Sequence, residues 1–318
     1  MDSLKRYLPW MVAFTFALLL VGGYRVLFAA PADFPSSNIV SITRGASVPE
    51  VAAQLANAHI VAHPQLLRIM LRVSGQSTHI QAGTYLFKTP ENLFTIAYRL
   101  VTGAYNLPPA RITFPEGETV RDIAKRVHEV FPDISVADFT SEAQLYEGYL
   151  FPDTYLFLPS ADADTIIKTM RENFTRKTAS LSGGILASGH SLAEIVTMAS
   201  LVEREARTIA VKRMVSGILW NRIKLGMPLQ VDAVFGYIYG RDTYSPSFED
   251  LKVDSPYNTY IYKGLPPGPI ANPGLDSLDA ALHPAKTDYL YYLTGTDSLM
   301  HYAATYAGHQ ANQRKYLR

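Results

Sequence analysis

Thr84-Tyr85-Leu86-Phe87 recurs 70 residues later as Thr154-Tyr155-Leu156-Phe157, and each copy reads as a strand. The same signals stand upstream of both. Val40 to Thr43 alternates like a strand. Gly45 follows, then Ser47 as a helix N-cap with Glu50 at the capping-box spacing, and an apolar stripe of Val51, Ala52 and Leu55. Arg111 to Phe114 repeats the strand. Gly117, Thr119, Val120, Ile123 and Ala124 repeat the turn and helix at an offset of 72. Such self-similarity marks a repeated small unit, here strand, helix, helix, strand. Two short strands with helices on one face can bury a small core. The fold class that follows is α+β: βααβ units, then a mixed helical and strand domain.

The 318 residues leave room for two or three domains. With 29 basic and 28 acidic residues the net charge is +1, which gives no electrostatic case for nucleic acid. The absence of cysteine excludes disulfides, thiolate metal sites and a cysteine nucleophile. Tyrosine is abundant at 20 residues, a composition that suits sugar or peptide contact and also sheet packing. Tyr7 to Tyr24 holds 18 residues without a charge behind Lys5 and Arg6. That is just long enough for a bilayer and predicts a single-pass transmembrane helix, cytoplasmic N-terminus and exported remainder, although Arg25 weakens the asymmetry. The rival is a cleaved signal peptide with Ala30-Pro31-Ala32 as a poor cleavage site. The expected divisions are 1–30 for the cytoplasmic tip and anchor, 31–38 for a linker, 39–105 for the first βααβ domain and 106–318 for the remainder.

In that remainder, Ser191 to about Ala206 carries the candidate for chemistry. Ser191 and Glu194 have capping-box spacing, and Leu192, Ile195, Val196, Ala199, Val202 and Ala206 form a helical stripe. Glu203 falls inside that stripe, whereas Glu194 and Glu205 fall on the far side. Desolvation raises a carboxyl pKa, and a carboxylic acid protonated near neutrality is what a general acid for a glycosidic oxygen must be. The alternative is a carboxylate at the stripe's edge, paired with Arg204, Arg207 or Lys212.

Ser180 to Gly189 reads as a Gly/Ser-rich loop before this helix. After it, Val211 to Leu225 predicts another helix, with Arg222 on its apolar face and Gly226 at its end. Tyr237 and Tyr239 lie in a run of mixed character. Five prolines between Pro256 and Pro273 rule out regular helix or central strand and predict a rigid loop lining a site. Leu275 to Leu282 reads as a short helix, Tyr289 to Ala303 as a hairpin, and the chain ends in a basic helical tail.

The first repeat loosely resembles a LysM module, a βααβ fold that binds N-acetylglucosamine-containing wall glycans. A more specific resemblance covers roughly Ile39 to Leu317. Glu147-Gly148-Tyr149-Leu150-Phe151-Pro152-Asp153-Thr154-Tyr155 comes first, then Ala199-Ser200-Leu201-Val202-Glu203-Arg204-Glu205, Asn221-Arg222 and Gly226-Met227-Pro228-Leu229-Gln230-Val231-Asp232. Ser255-Pro256-Tyr257-Asn258-Thr259-Tyr260, Gly264-Leu265-Pro266-Pro267-Gly268-Pro269-Ile270 and Ala280-Ala281-Leu282-His283-Pro284 complete the series. In this order they resemble the MltG, or YceG-like, family of endolytic murein transglycosylases.

The resemblance places the family's single catalytic acid on Glu203. It implies a membrane-anchored lyase that cuts nascent peptidoglycan glycan strands outside the plasma membrane, beside wall synthases such as penicillin-binding proteins, with no metal or cofactor. Val231, Asp232, Ala233 and Val234 depart from the family's usual hydroxyl-Asp-Pro-Thr run. Glu147, Tyr149, Asp153, Arg222, Gln230, Asp232, Tyr257 and Asn258 are the candidate substrate-binding residues. Two alternatives stay open: a hydrolytic muramidase using Asp232 as second carboxylate, and a non-catalytic wall-binding scaffold. His59 and His63 have a metal-like spacing, but Ile60 stands where a zincin has Glu, and no third ligand is apparent.

Overall fold

A computed structural model describes residues 2–28, 30–35, 38–241 and 245–317. The chain forms two compact units, Met1–Ala110 with Phe157–Ala161, and Arg111–Leu156 with Asp162–Arg318.

The first unit opens with helix α1, Asp2–Phe28. Its side chains from Trp10 to Tyr24 are apolar almost throughout and exposed around the helix. Among the described residues no single helix is long and apolar enough to cross a membrane; the apolar part of α1 is Trp10–Arg25. The first repeat follows as β1 (Asn38–Ile42), α2 (Val48–Asn57), α3 (Pro64–Val73) and β2 (Gly83–Phe87), and α4 (Leu93–Thr102) packs behind it. β1 and β2 pair antiparallel with Val40 opposite Tyr85. Val40, Ile42, Tyr85 and Phe87 point into the core, as the period of two requires, and meet Val51, Leu55, Leu67 and Leu71 from the helices. Ser47 and Glu50 make the reciprocal capping box at α2. Arg99 on α4 is buried because every side of it is satisfied: Glu91 pairs with it at 2.7 Å, the carbonyls of Leu86, Ala104 and Tyr105 accept from it, and Phe87 lies 4.3 Å beneath it.

The second unit contains all of the second repeat except its end residues Ala110 and Phe157: β3 (Ala110–Thr113), α5 (Val120–Val130), α6 (Val136–Ala143) and β4 (Thr154–Phe157). The copies match in detail. The turn glycines Gly45 and Gly117 share φ of 82° and 81°, a conformation that excludes most side chains. Both copies have a capping box, and both tie their strands with a hydroxyl pair, Ser41 to Thr84 at 3.0 Å and Thr113 to Thr154 at 2.8 Å.

Beyond the repeat come α7 (Ala163–Thr178), α8 (Ser182–Ser188), α9 (Leu192–Glu205), α10 (Ile209–Lys224), α11 (Ala233–Tyr239), α12 (Leu275–Leu282), the antiparallel hairpin β5 (Tyr291–Thr294) and β6 (Met300–Ala303), and α13 (Tyr306–Tyr316). α9 is the centre of this unit. Every residue from Ile195 to Val202 is buried, including Thr197 and Ser200. Its Ser191 and Glu194 form the expected capping box. α10 and α12 pack against it, and Trp220 Nε1 on α10 donates to the Ala281 carbonyl on α12 at 3.0 Å.

Two expectations need correction, and one run of mixed character resolves into an element. Residues 179–188 are helical, a 3-10 turn followed by α8, where a loop was expected. Gly184 serves close packing there: a Cβ would sit 2.9 Å from Leu282 Cδ2. Residues 233–239 form a helix. The supposed solvated side of α9 is not free at its C-terminal end, where Glu205 is partly buried and accepts from Tyr292 Oη at 3.0 Å. Neighbours close around the helix at this end, whereas its first turn, Leu192 to Glu194, is exposed.

Candidate functional site

The C-terminal turn of α9 puts Glu203 against three other segments. Its side chain is 8% exposed. Lys212, at the start of α10 and 4% exposed, donates to Oε1 at 2.9 Å. Oε2 accepts from the Gly274 backbone N–H at 2.9 Å and from Ser277 Oγ at 2.7 Å. Gly274 is the N-cap of α12, so the carboxylate lies at that helix's positive end. These donors solvate a carboxylate without water.

The fourth segment is the turn after β3. Gly117 N–H donates to the Asn272 carbonyl at 2.9 Å, and Asn272 N–H returns to the Glu118 carbonyl at 2.9 Å. This ladder brings Glu116 to Gly274. A Cβ at position 274 would fall 1.9 Å from Glu116 Oε1, so glycine is what lets the two approach. Glu116 Oε2 stands 3.9 Å from Lys212 Nζ. Its carboxyl is raised, first by burial and then by the Glu203 charge, with Lys212 pulling the other way. Arg204 Nη1 donates to the Gly117 carbonyl and closes the turn onto α9.

The eight candidate substrate residues sit elsewhere in the unit, and none hydrogen-bonds to Glu203 among the described residues. Glu147 is 6% exposed. It accepts from Val120 N–H at the start of α5 and from Asn272 Nδ2 at 3.0 Å. Burial pushes its carboxyl up to about 8 against those hydrogen bonds. Asp153 accepts from Asn173 Nδ2 and pairs with Lys177 at 3.2 Å, which together hold it below the usual carboxylate range. Arg222 is buried with its donors on the carbonyls of Leu290 and Leu229, both at 2.7 Å, and near Gln230 Oε1. Asp232 accepts from Tyr260 Oη at 2.5 Å, and its charge helps raise Glu205, which burial takes to about 7. Asn258 is fully buried, its amide spent on the Leu251 and Val253 carbonyls and Tyr260 N–H. Tyr257 stacks obliquely on Tyr237 at 5.0 Å. Tyr149 lines an open groove of about 850 Å³ with Tyr146, Arg171 and Leu192. That groove lies at the other end of α9, roughly 16 Å from Glu203 by helix rise.

Glu116 is the residue that sequence reasoning missed. A signal was present: the equivalent position in the first repeat, 72 residues earlier, is Arg44, so the two copies carry opposite charge beside the same glycine.

The YceG-like family model matches residues 40–315. The chain belongs to the YceG-like family. An endolytic murein transglycosylase of Bacillus subtilis is 31% identical to it over 331 aligned positions, covering 94% of this chain and 91% of the relative. One from Streptococcus pneumoniae is 27% identical over 351 positions, covering 95% of this chain and 63% of the relative's length. Among solved structures, a yceG-like protein from Listeria monocytogenes superposes on this family member with a TM-score of 0.59 at 28% identity, covering 87% of this chain and 98% of that one.

Proposed function

We propose that this YceG-like chain is an endolytic murein transglycosylase with Glu203 as its catalytic acid and base. The observation that carries the proposal is a nearly buried carboxylate held at both oxygens by Lys212, Gly274 N–H and Ser277. The names of the relatives from Bacillus subtilis and Streptococcus pneumoniae support the reaction class.

The bond cleaved is the β-1,4 link from MurNAc to GlcNAc inside a glycan strand. Glu203 gives its proton to the leaving oxygen as an oxocarbenium-like state forms. As a carboxylate it then takes the proton of the C6 hydroxyl of the same MurNAc, and that oxygen closes on C1. The product is a 1,6-anhydroMurNAc end. The nucleophile is intramolecular and has a high effective molarity, so no water and no second hydrolytic carboxylate are required. Gly274 N–H and Ser277 hold Oε2 while Oε1 works, which fixes the carboxyl plane between the two proton transfers.

The remaining elements fit an exported wall enzyme. Helix α1, with Lys5 and Arg6 before its apolar part, serves as a single-pass anchor with the N-terminus in the cytoplasm. The first βααβ repeat serves as a LysM-like glycan-binding domain, 39–105, ahead of the catalytic domain, 106–318. Termination of nascent strands places the enzyme beside the wall synthases.

The test is mass spectrometry of glycan products from purified peptidoglycan strands, digested with the full chain in detergent and with Glu203→Gln. Anhydro-ended internal fragments with the natural chain, falling by about 10²–10⁴-fold with the variant, are expected. Reducing MurNAc ends would replace the proposal with hydrolysis.

A further inference from the structure

Glu203 must begin the reaction as an acid, yet the site solvates it as a base. Lys212, Gly274 N–H and Ser277 all donate to it. A carboxylic acid at Oε1 has no use for an ammonium at 2.9 Å. The site therefore needs a place for the proton when Glu203 is charged, and a place for the ammonium when Glu203 is not.

Glu116 supplies both. It reaches into the site from the turn after β3, and its side chain is 52% exposed, so it exchanges protons with solvent where Glu203 does not. Lys212 Nζ lies between the two carboxylates, 2.9 Å from Glu203 and 3.9 Å from Glu116. Two carboxylates on one buried ammonium leave one excess negative charge, which a single shared proton removes. Asp276 on α12 also acts on Glu116 and disfavours its charge, while the nearby turn carbonyl of Gly117 takes the Arg204 guanidinium. The absence of a Cβ at Gly274 allows the Glu116 carboxyl to lie against the strap that donates to Glu203.

We infer that Glu116 is the proton-holding partner of Glu203: a proton and the Lys212 ammonium exchange places between the two carboxylates, and the arrangement with the ammonium on Glu116 arms Glu203 as the acid. The step balances within the site. Glu116 loses its carboxyl proton, Glu203 gains it, and Lys212 remains an ammonium while moving about 1 Å to reach the usual charge-assisted hydrogen-bond distance. No other bond changes. When Glu203 later takes the C6 hydroxyl proton, the exchange runs in reverse and restores the resting site. Glu116 acts through Glu203 and is a positioning residue, and the inference rests on the lytic role proposed for Glu203.

The experiment is a pH profile of kcat/KM on glycan strands for the full chain, Glu116→Gln and Glu116→Asp, with thermal stability and glycan affinity measured alongside. Glu116→Gln is expected to move the basic limb down by at least about one pH unit, a tenfold or greater rate loss above it, with stability and affinity unchanged. Glu116→Asp, which still titrates, is expected to return the limb toward its original position. A Glu116→Gln limb that stays in place, whatever the rate, overturns the inference and leaves Glu203 as proposed. A natural chain that forms no anhydro ends overturns the proposal for Glu203 instead. Carboxyl 13C NMR of the glutamate-labelled chain is independent of turnover. The Glu116 signal, assigned from its Gln variant, is expected to titrate at lower pH in Glu203→Gln, where the neighbouring charge is gone, and a Glu116 titration unmoved by that change refutes the exchange.

Discussion

Glu147 offers the sharpest test of the site's scaffold. It is buried, with the Arg121 charge opposing only part of the effect of burial, and it joins the start of α5 to Asn272, two residues before the Gly274 that holds Glu203. Its folded value of about 8 lies above the ordinary 4.5. A carboxyl raised on folding contributes stability that is fully present below about 4.5 and is lost as the pH rises through about 8. By about pH 5.5 the unfolded chain has largely released this proton, whereas the folded chain keeps it until the pH passes about 8. The difference accumulated between about pH 5.5 and pH 8.5 is roughly 2.3 pH units, or about 3 kcal/mol. Urea unfolding of the full chain at the two pH values reads it from the midpoints. Glu147→Gln keeps a carbonyl oxygen for Val120 N–H and cannot ionise. The natural chain is expected to lose about 3 kcal/mol more than the variant over the same interval. Parallel pH dependences would refute the reasoning and mean that Val120 and Asn272 solvate a charged Glu147.

Other consequences are smaller and independent. Ser277→Ala removes one donor to a charged oxygen, worth about 1.5–3 kcal/mol, so kcat is expected to fall about 10- to 100-fold with glycan affinity unchanged; an unchanged kcat would free Ser277 from the chemistry. Gly274→Ala has a compatible backbone, φ −76°, but its Cβ displaces Glu116, so an unaltered circular dichroism spectrum with a kcat lowered about tenfold is expected. Arg222→Lys replaces a fork that spans the Leu290 and Leu229 carbonyls with one ammonium, and a loss of about 2–3 kcal/mol in urea unfolding is expected.

The repeated part of the fold was legible because its signals are local. The capping box at Ser47, the turn glycines and the alternating strands act over fewer than five residues, and each appears where the spacing put it. Helix α12 was equally plain. The second part resisted where tertiary context overrides pattern. Gly184 looks like a loop residue and is a packing residue, visible only when Leu282 arrives from 98 positions away. The phase argument put Glu203 inward and Glu205 outward, but at the C-terminal end of the helix the β5 residue Tyr292 covers part of Glu205 as well. Lys212 was legible as a partner. Ser277 and Gly274 were visible only as part of a helix and a loop, and Glu116 was hidden because its closeness to Glu203 depends on the ladder between residues 117–118 and Asn272.

That ladder has a consequence for modularity. A duplicated βααβ element suggests interchangeable beads that evolution can lose, multiply or swap. The second copy lacks that freedom. Its turn holds Glu116, receives Arg204 and fixes Asn272, and its interior supplies Glu147. Cutting the chain at Asp162 would keep Glu203, Lys212 and Ser277 and dismantle the wall behind them. On the role proposed for Glu203, the smallest inheritable catalytic module begins near Arg111, and a recombination breakpoint between the second repeat and the helices that follow is expected to abolish activity even when both parents are family members.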